Sequence, residues 1–266
     1  MDRGVAQDNN PRRYPMMIRS RGLLVMVGLL TGLTTTLPAQ GTPTAAQIHD
    51  RFVKALGGRA AIEAQTARHT WGAIEIPSQG MKGTLEVWAA APDKMHTRIE
   101  IPGFGLSQTG FDGETAYTSN PAMGAQILDG RALDQLRQQV DMHGVLHPER
   151  YVASAEFAGE ADFEGKRCYK VTVTTTWEEE YTEYYDIETG LLYGMARSQE
   201  SPMGAIEATT VLENYERHGG IMTPMLIRIQ AMGMEQVVRS DSISVAPIPD
   251  SIFALPAEIK ALKKGS

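Results

Sequence analysis

The chain has almost no cysteine. Cys168 stands alone among 266 residues, so no intramolecular disulfide can form and a cysteine metal cluster is excluded. Cys168 falls in a β-rich stretch, where a lone thiol reads as a small buried hydrophobe. Positive charge is also scarce. There are 25 Lys and Arg against 32 Asp and Glu, a net charge of -7, and no basic stripe runs through the body of the chain. That balance argues against a general nucleic-acid binder. Nucleophile signatures are missing: there is no Gly-x-Ser-x-Gly, no Ser-x-x-Lys with matching partners and no phosphate loop. Gly103-Phe104-Gly105 lacks the third glycine and the helix of a dinucleotide-binding turn. No repeat recurs at a fixed period.

Among what is present, the N-terminus comes first. Arg12, Arg13, Arg19 and Arg21 precede the apolar run Gly22–Leu37, which ends at Leu37-Pro38-Ala39-Gln40. This is the layout of a secretory signal peptide, with cleavage expected after Ala39 and translation starting at Met1, Met16 or Met17. The run is roughly sixteen residues long and holds four threonines, short for a membrane span. Residues 1–39 carry a net +3, so their removal leaves -10. The expected mature domain is residues 40–266, one unit large enough to build its own core.

Trp71 to Tyr117 organises that domain. Arg68–Ile76, Gly83–Ala90, Lys94–Ile101 and Leu106–Phe111 read as consecutive strands, separated by short breaks such as Pro77-Ser78-Gln79-Gly80 and Pro92-Asp93. Leu85, Val87 and Ala89 alternate with polar or aromatic neighbours; Met95, Ile99 and Ile101 do the same. Period-2 alternation with short breaks predicts an antiparallel meander with one apolar face. Glu114–Ser119 is a further strand, and Asn120 to Gly130 reads as irregular. Tyr151–Phe157, Cys168–Trp177, Tyr181–Ile187, Leu191–Gln199, Ala205–Tyr215, Thr223–Gln230 and Glu235–Val245 form a second block, with Gly159 to Gly165 as an acidic turn. Helices are expected at Ala45–Leu56, capped by Thr44 and stopped by Gly57-Gly58, at Arg59–Gln65 and at Ala132–Val140. Pro247–Leu255 reads as an extended tail and Ala257–Lys263 as a last helical turn. So many strands with so few helices exclude a doubly wound α/β fold. The expected class is mainly β (α+β). It is a large curved antiparallel sheet or unclosed β-barrel with the N-terminal and central helices in its concave face.

Several segments, taken in order, carry a resemblance. They are Ala55-Leu56-Gly57-Gly58, Trp71-Gly72, Pro92-Asp93-Lys94-Met95 and Gly110-Phe111-Asp112-Gly113-Glu114-Thr115-Ala116-Tyr117. Asp186-Ile187-Glu188-Thr189-Gly190-Leu191 and Ile248-Pro249-Asp250-Ser251-Ile252-Phe253 follow. Together they resemble the bacterial outer-membrane lipoprotein-sorting protein group, the LolA/LolB-like superfamily. The resemblance implies an open barrel with a helical lid around an apolar cavity, and periplasmic carriage of a lipoprotein or lipid.

The expected cavity is lined by Leu85, Val87, Met95, Ile99, Ile101, Leu106 and Tyr117 of the meander, Leu133, Leu136 and Val140 of the central helix, and Phe52 of the first helix. A half-open sheet leaves more concave apolar surface than its own side chains fill; the plainer alternative is a filled core. Met222, Met225, Met232 and Met234 could adapt to varied apolar ligands or merely fill gaps. His143 and His147, with Glu149 beside them, have a zinc-like spacing, but Gly144 and Pro148 break the helix it needs. Glu178, Glu179, Glu180 and Glu183 read as a solvated hairpin tip rather than an acid–base pair.

The expected function is therefore non-enzymatic binding of an acyl chain, lipid or lipoprotein by a periplasmic monomer. No cofactor, metal or nucleic acid is expected. The alternative is an envelope protein-interaction module with a filled core, anchored by Trp88 and Trp177.

Overall fold

The computed structural model describes residues 41–201 and 204–265, and from Thr42 onward the described residues make one compact unit. The expected signal peptide, residues 1–39, lies outside the described residues. Helix α1 (Ala45–Leu56) starts in a reciprocal cap. Gln47 N–H donates to Thr44 Oγ1 at 3.2 Å, and Thr44 N–H donates to Gln47 Oε1 at 2.9 Å. It stops at Gly57, whose φ of 138° suits glycine. A Cβ there would also run into the carbonyl of Gly220. Helix α2 (Arg59–Ala64) is short and buries Ile62.

Six strands follow: β1 (Ala67–Ile76), β2 (Met81–Ala90), β3 (Lys94–Ile101), β4 (Gly105–Phe111), β5 (Ala116–Asn120) and β6 (Gly124–Ile127). Helix α3 (Gly130–Val140) separates them from β7 (Val152–Phe163), β8 (Lys166–Thr175), β9 (Glu180–Asp186), β10 (Leu192–Ser201), β11 (Gly204–His218), β12 (Ile221–Ala231) and β13 (Met234–Ser244). Helix α4 (Ala257–Gly265) closes the described chain. The thirteen strands among the described residues form one antiparallel sheet in the order β6-β5-β4-β3-β2-β1-β13-β12-β11-β10-β9-β8-β7. Each meander is continuous in sequence, and the first strand of one pairs with the last strand of the other. β6 and β7 remain as the two edges, so the curved sheet does not close.

The structure departs from the sequence reading first in three segments. Asn120–Gly130 is not wholly irregular: Asn120 Oδ1 accepts the N–H groups of Ala122 and Met123, and this turn launches β6. The acidic turn placed at Gly159–Gly165 shrinks to Glu164-Gly165, because β7 runs on to Phe163 through an irregular register with β8. The C-terminal tail is not extended throughout, because Asp250–Phe253 forms a 3-10 turn. Phe253 and Ile259 are buried, and α4 packs beside β6.

Strand register assigns the two faces. Leu85 pairs with Ile99 and Ala89 with Met95, and Met95 pairs in turn with Phe111. Arg68, Thr70 and Gly72 on β1 pair with Ala89, Val87 and Leu85 and so share their face. This inward face carries the helices. Leu136 and Val140 of α3 pack on Met95, Phe111 and Ala116. Ile48 and Phe52 of α1 pack on Val171, Val173, Tyr181 and Tyr185. Arg51 fixes α1 to the β9–β10 turn by donating to the carbonyls of Ile187 and Glu188.

Candidate functional site: two cavities flanking α3

The inward face is not filled. A cavity of about 570 Å³ lies between α1, the loop after α3 and strands β7–β9. Its walls include Ala45, His49, Phe52, Val145, Val171, Val173 and the polar set Tyr181, Glu183 and Tyr185. A second cavity of about 340 Å³ lies between the end of α3 and strands β1–β3, β12 and β13. Leu85, Val87, Ala89, Met95, Val140, Ile227 and Val238 supply its apolar wall. Asp141, at the end of α3, lines both. Its carboxylate accepts from Arg150 Nη1 at 2.8 Å and from the Tyr151 hydroxyl at 3.0 Å, which ties down the partition.

The residues expected to form one cavity are distributed differently. Leu85, Val87, Met95 and Val140 line the smaller cavity, and Phe52 lines the larger. Leu133 and Leu136 are packed into the core beneath α3. Ile99 and Ile101 are on the inward face but outside both cavities. Leu106 and Tyr117 are on the opposite face, a correction that follows from register. Leu106 pairs with Glu100 and Tyr117 with Gly110, both outward positions. Tyr117 is nonetheless only 1% exposed. Burial, with Asp112 and Glu258 nearby, pushes its pKa up to about 12.

Trp88 is not an exposed anchor. It stacks between His69, with ring centres 4.6 Å apart, and His96, at 5.5 Å, and is buried. The glutamate tip is only partly solvated. Glu179 is buried, and its carboxylate accepts from Gln135 Nε2 at 2.9 Å and Trp177 Nε1 at 3.0 Å, with Arg197 Nη1 at 3.3 Å. Burial pushes its pKa up, but these donors and the Arg197 charge outweigh it and leave the pKa below the ordinary value. Glu183 is different. It accepts from the Tyr185 hydroxyl at 2.6 Å, yet burial keeps its pKa raised. His143 and His147 go separate ways. His143 Nε2 lies 2.9 Å from the Gln65 carbonyl oxygen, and His147 Nδ1 lies 3.3 Å from Glu149 Oε1. Among the described residues no group of three or more His, Cys, Asp or Glu gathers at ion-binding range. Among them, too, no helix is long and apolar enough to cross a membrane.

Sequence reasoning missed the polar part of the smaller cavity. Gln65, Arg68 and Thr223 all line it. Arg68 makes no ion pair or hydrogen bond with the described residues, and burial alone draws its pKa down. Its one sequence signal was its place in phase with Thr70 and Ile74 on β1, visible only once the inward face is known.

No family model matches the chain, and no curated protein does. Solved structures do. A LolA superfamily protein from Nitrosomonas europaea superposes with a TM-score of 0.53 at 16% identity, covering 80% of this chain and 99% of that one. A DUF1329 family protein from Desulfovibrio piger gives 0.55 at 11% identity, covering 80% and 98%. A domain from Vibrio parahaemolyticus assigned to outer membrane lipoprotein sorting gives 0.50 at 10% identity, covering 73% and 92%. Identities this low speak to fold alone, and on that level the chain is LolA-like.

Proposed function

We propose that this chain is a periplasmic carrier that holds an acyl chain, lipid or lipoprotein against the inward face of its sheet, without chemical conversion. One observation carries the reading. The sheet and its two inward helices leave cavities of about 570 and 340 Å³ walled in large part by apolar side chains, where a filled core would leave none of that size. The LolA-like fold, shared with a domain assigned to lipoprotein sorting, points the same way. The binding force is burial. Each methylene removed from water contributes about 0.8 kcal/mol, so about ten of them supply roughly 8 kcal/mol before ordering costs.

The test is native mass spectrometry of mature protein purified from periplasm without detergent, followed by solvent extraction. Co-purified lipid or acylated peptide is the expected result. A clean apo mass, with no uptake of a fluorescent fatty acid, would sink the carrier reading.

A further inference from the structure

We propose that the smaller cavity seats an anionic head group, a carboxylate or a phosphate monoester, on Arg68, Gln65 and Thr223, with one hydrocarbon tail along Leu85, Val87 and Met95. This rests on the carrier reading and adds the chemistry of the cargo's head.

Three polar groups on the wall of one cavity have no hydrogen-bond or ion-pair partner among the described residues: the Arg68 guanidinium, Gln65 Nε2 and Thr223 Oγ1. Gln65 is 8% exposed and Thr223 9%, so bulk water does little for either. Buried polar atoms are nearly always hydrogen-bonded, so each exception asks for a ligand or an explanation. Two other buried side-chain atoms without a hydrogen bond, His69 Nε2 and His218 Nε2, each lie within 4 Å of a carboxylate, at 3.5 Å from Glu86 and 3.7 Å from Glu216. Gln65 and Thr223 have no such neighbour, and both face the cavity that Arg68 faces.

The backbone leaves these side chains to the cavity. The N–H of Gln65 donates to the Ile62 carbonyl, and its own carbonyl meets His143 Nε2. Its side-chain amide is thus the group left over. Arg68 stands opposite Ala89 on the inward side of the sheet, and Asp141 is the one acidic residue on the cavity wall. Asp141 already faces Arg150, Tyr151 and the N–H of His143. Among the described residues Arg68 therefore has no counter-ion of its own.

A guanidinium with no counter-ion, beside an amide donor and a hydroxyl, matches the oxygens of a carboxylate or phosphate, which arginine can grip with two parallel N–H bonds. A neutral glyceride would leave the charge unpaired. The volume is at the small end for ligand pockets and suits one chain rather than several.

The experiment is isothermal calorimetry on the mature protein with dodecanoate, dodecyl phosphate and 1-dodecanol, alongside acetate and inorganic phosphate. The variants are Arg68→Gln, Arg68→Lys and Gln65→Leu, each checked for an unchanged melting profile or a stabilised one. The wild type is expected to bind one or both long-chain anions at least about tenfold more tightly than the alcohol, because only the anions pair with the guanidinium. Arg68→Gln should abolish that preference and leave dodecanol unchanged; Arg68→Lys should restore part of it. The tighter of the two anions identifies the head. Binding of inorganic phosphate or acetate as tight as that of the long-chain ions would overturn the amphiphile in favour of a free-anion site. Equal binding of anions and alcohol by wild type and Arg68→Gln would overturn the head-group site and leave the carrier standing. If no long-chain compound binds, both readings fail.

Discussion

His96 Nδ1 lies 2.8 Å from the carbonyl oxygen of Ile252, and this contact holds the C-terminal segment against the outer face of the sheet. Lys94 adds an ion pair to Asp250 at 3.0 Å, and Lys263 reaches Glu114 at 3.1 Å and Thr115 at 3.0 Å. The ion pairs are exposed and contribute little. The holding force is apolar, from Phe253 at 3% exposure and Ile259 at 0%. Phe253→Ala is therefore expected to cost about 3–5 kcal/mol in urea unfolding. A loss below about 1 kcal/mol would mean that the segment lies loosely on the sheet.

Glu179 and Arg197 give a second prediction. The carboxylate is buried and satisfied from three sides, while Arg197 is about a quarter exposed and lies over the Tyr181 ring at 4.4 Å. Glu179→Gln should cost about 1–3 kcal/mol, the lower part of the range for buried pairs because solvent reaches the arginine. A Glu179→Gln, Arg197→Met cycle should show favourable coupling. Additive losses would mean that the hydrogen bonds from Gln135 and Trp177, not the charge pair, hold the tip.

The larger question is the cavity beside α3. Val87 is half-buried on its wall and also touches the core beneath α3. Val87→Phe projects a ring into the empty space and should leave the fold intact. Fatty-acid binding should fall about tenfold or more if the tail lies there. Unchanged affinity in the variant would move the ligand to the larger cavity beside α1.

The inward apolar set of β2 and β3 was legible, because Leu85, Val87, Met95, Ile99 and Ile101 keep a strict period of two. Leu106 and Tyr117 were not. In this half the outer face sets Trp88, Leu106 and Tyr117 among polar residues such as Arg98, Glu100 and Gln108, so an apolar side chain on a strand does not by itself say which face it belongs to. The register decides it: Leu106 and Phe111 are five apart on β4 and cannot point the same way. Arg68 was hidden for the converse reason. A charged residue on a strand reads as solvent-facing, and only its pairing opposite Ala89 turns it inward. Helix α1 was legible to the residue because its cap and its glycine stop are both local signals.

Glu183 carries the pH dependence of the larger cavity. Burial raises its pKa, and the Tyr185 hydroxyl and Arg197 do not offset the shift. The folded state thus holds this proton more tightly than the unfolded state. The group's contribution is full below the ordinary glutamate value of about 4.3 and is lost as pH rises through the folded value. Glu183→Gln cannot ionise and keeps a carbonyl oxygen to accept from Tyr185. Its melting temperature relative to wild type should therefore climb from pH 4 to pH 7, with the other carboxylates cancelling in the difference. A gap that stays constant across that range would mean that water reaches Glu183 and that this end of the cavity is wet.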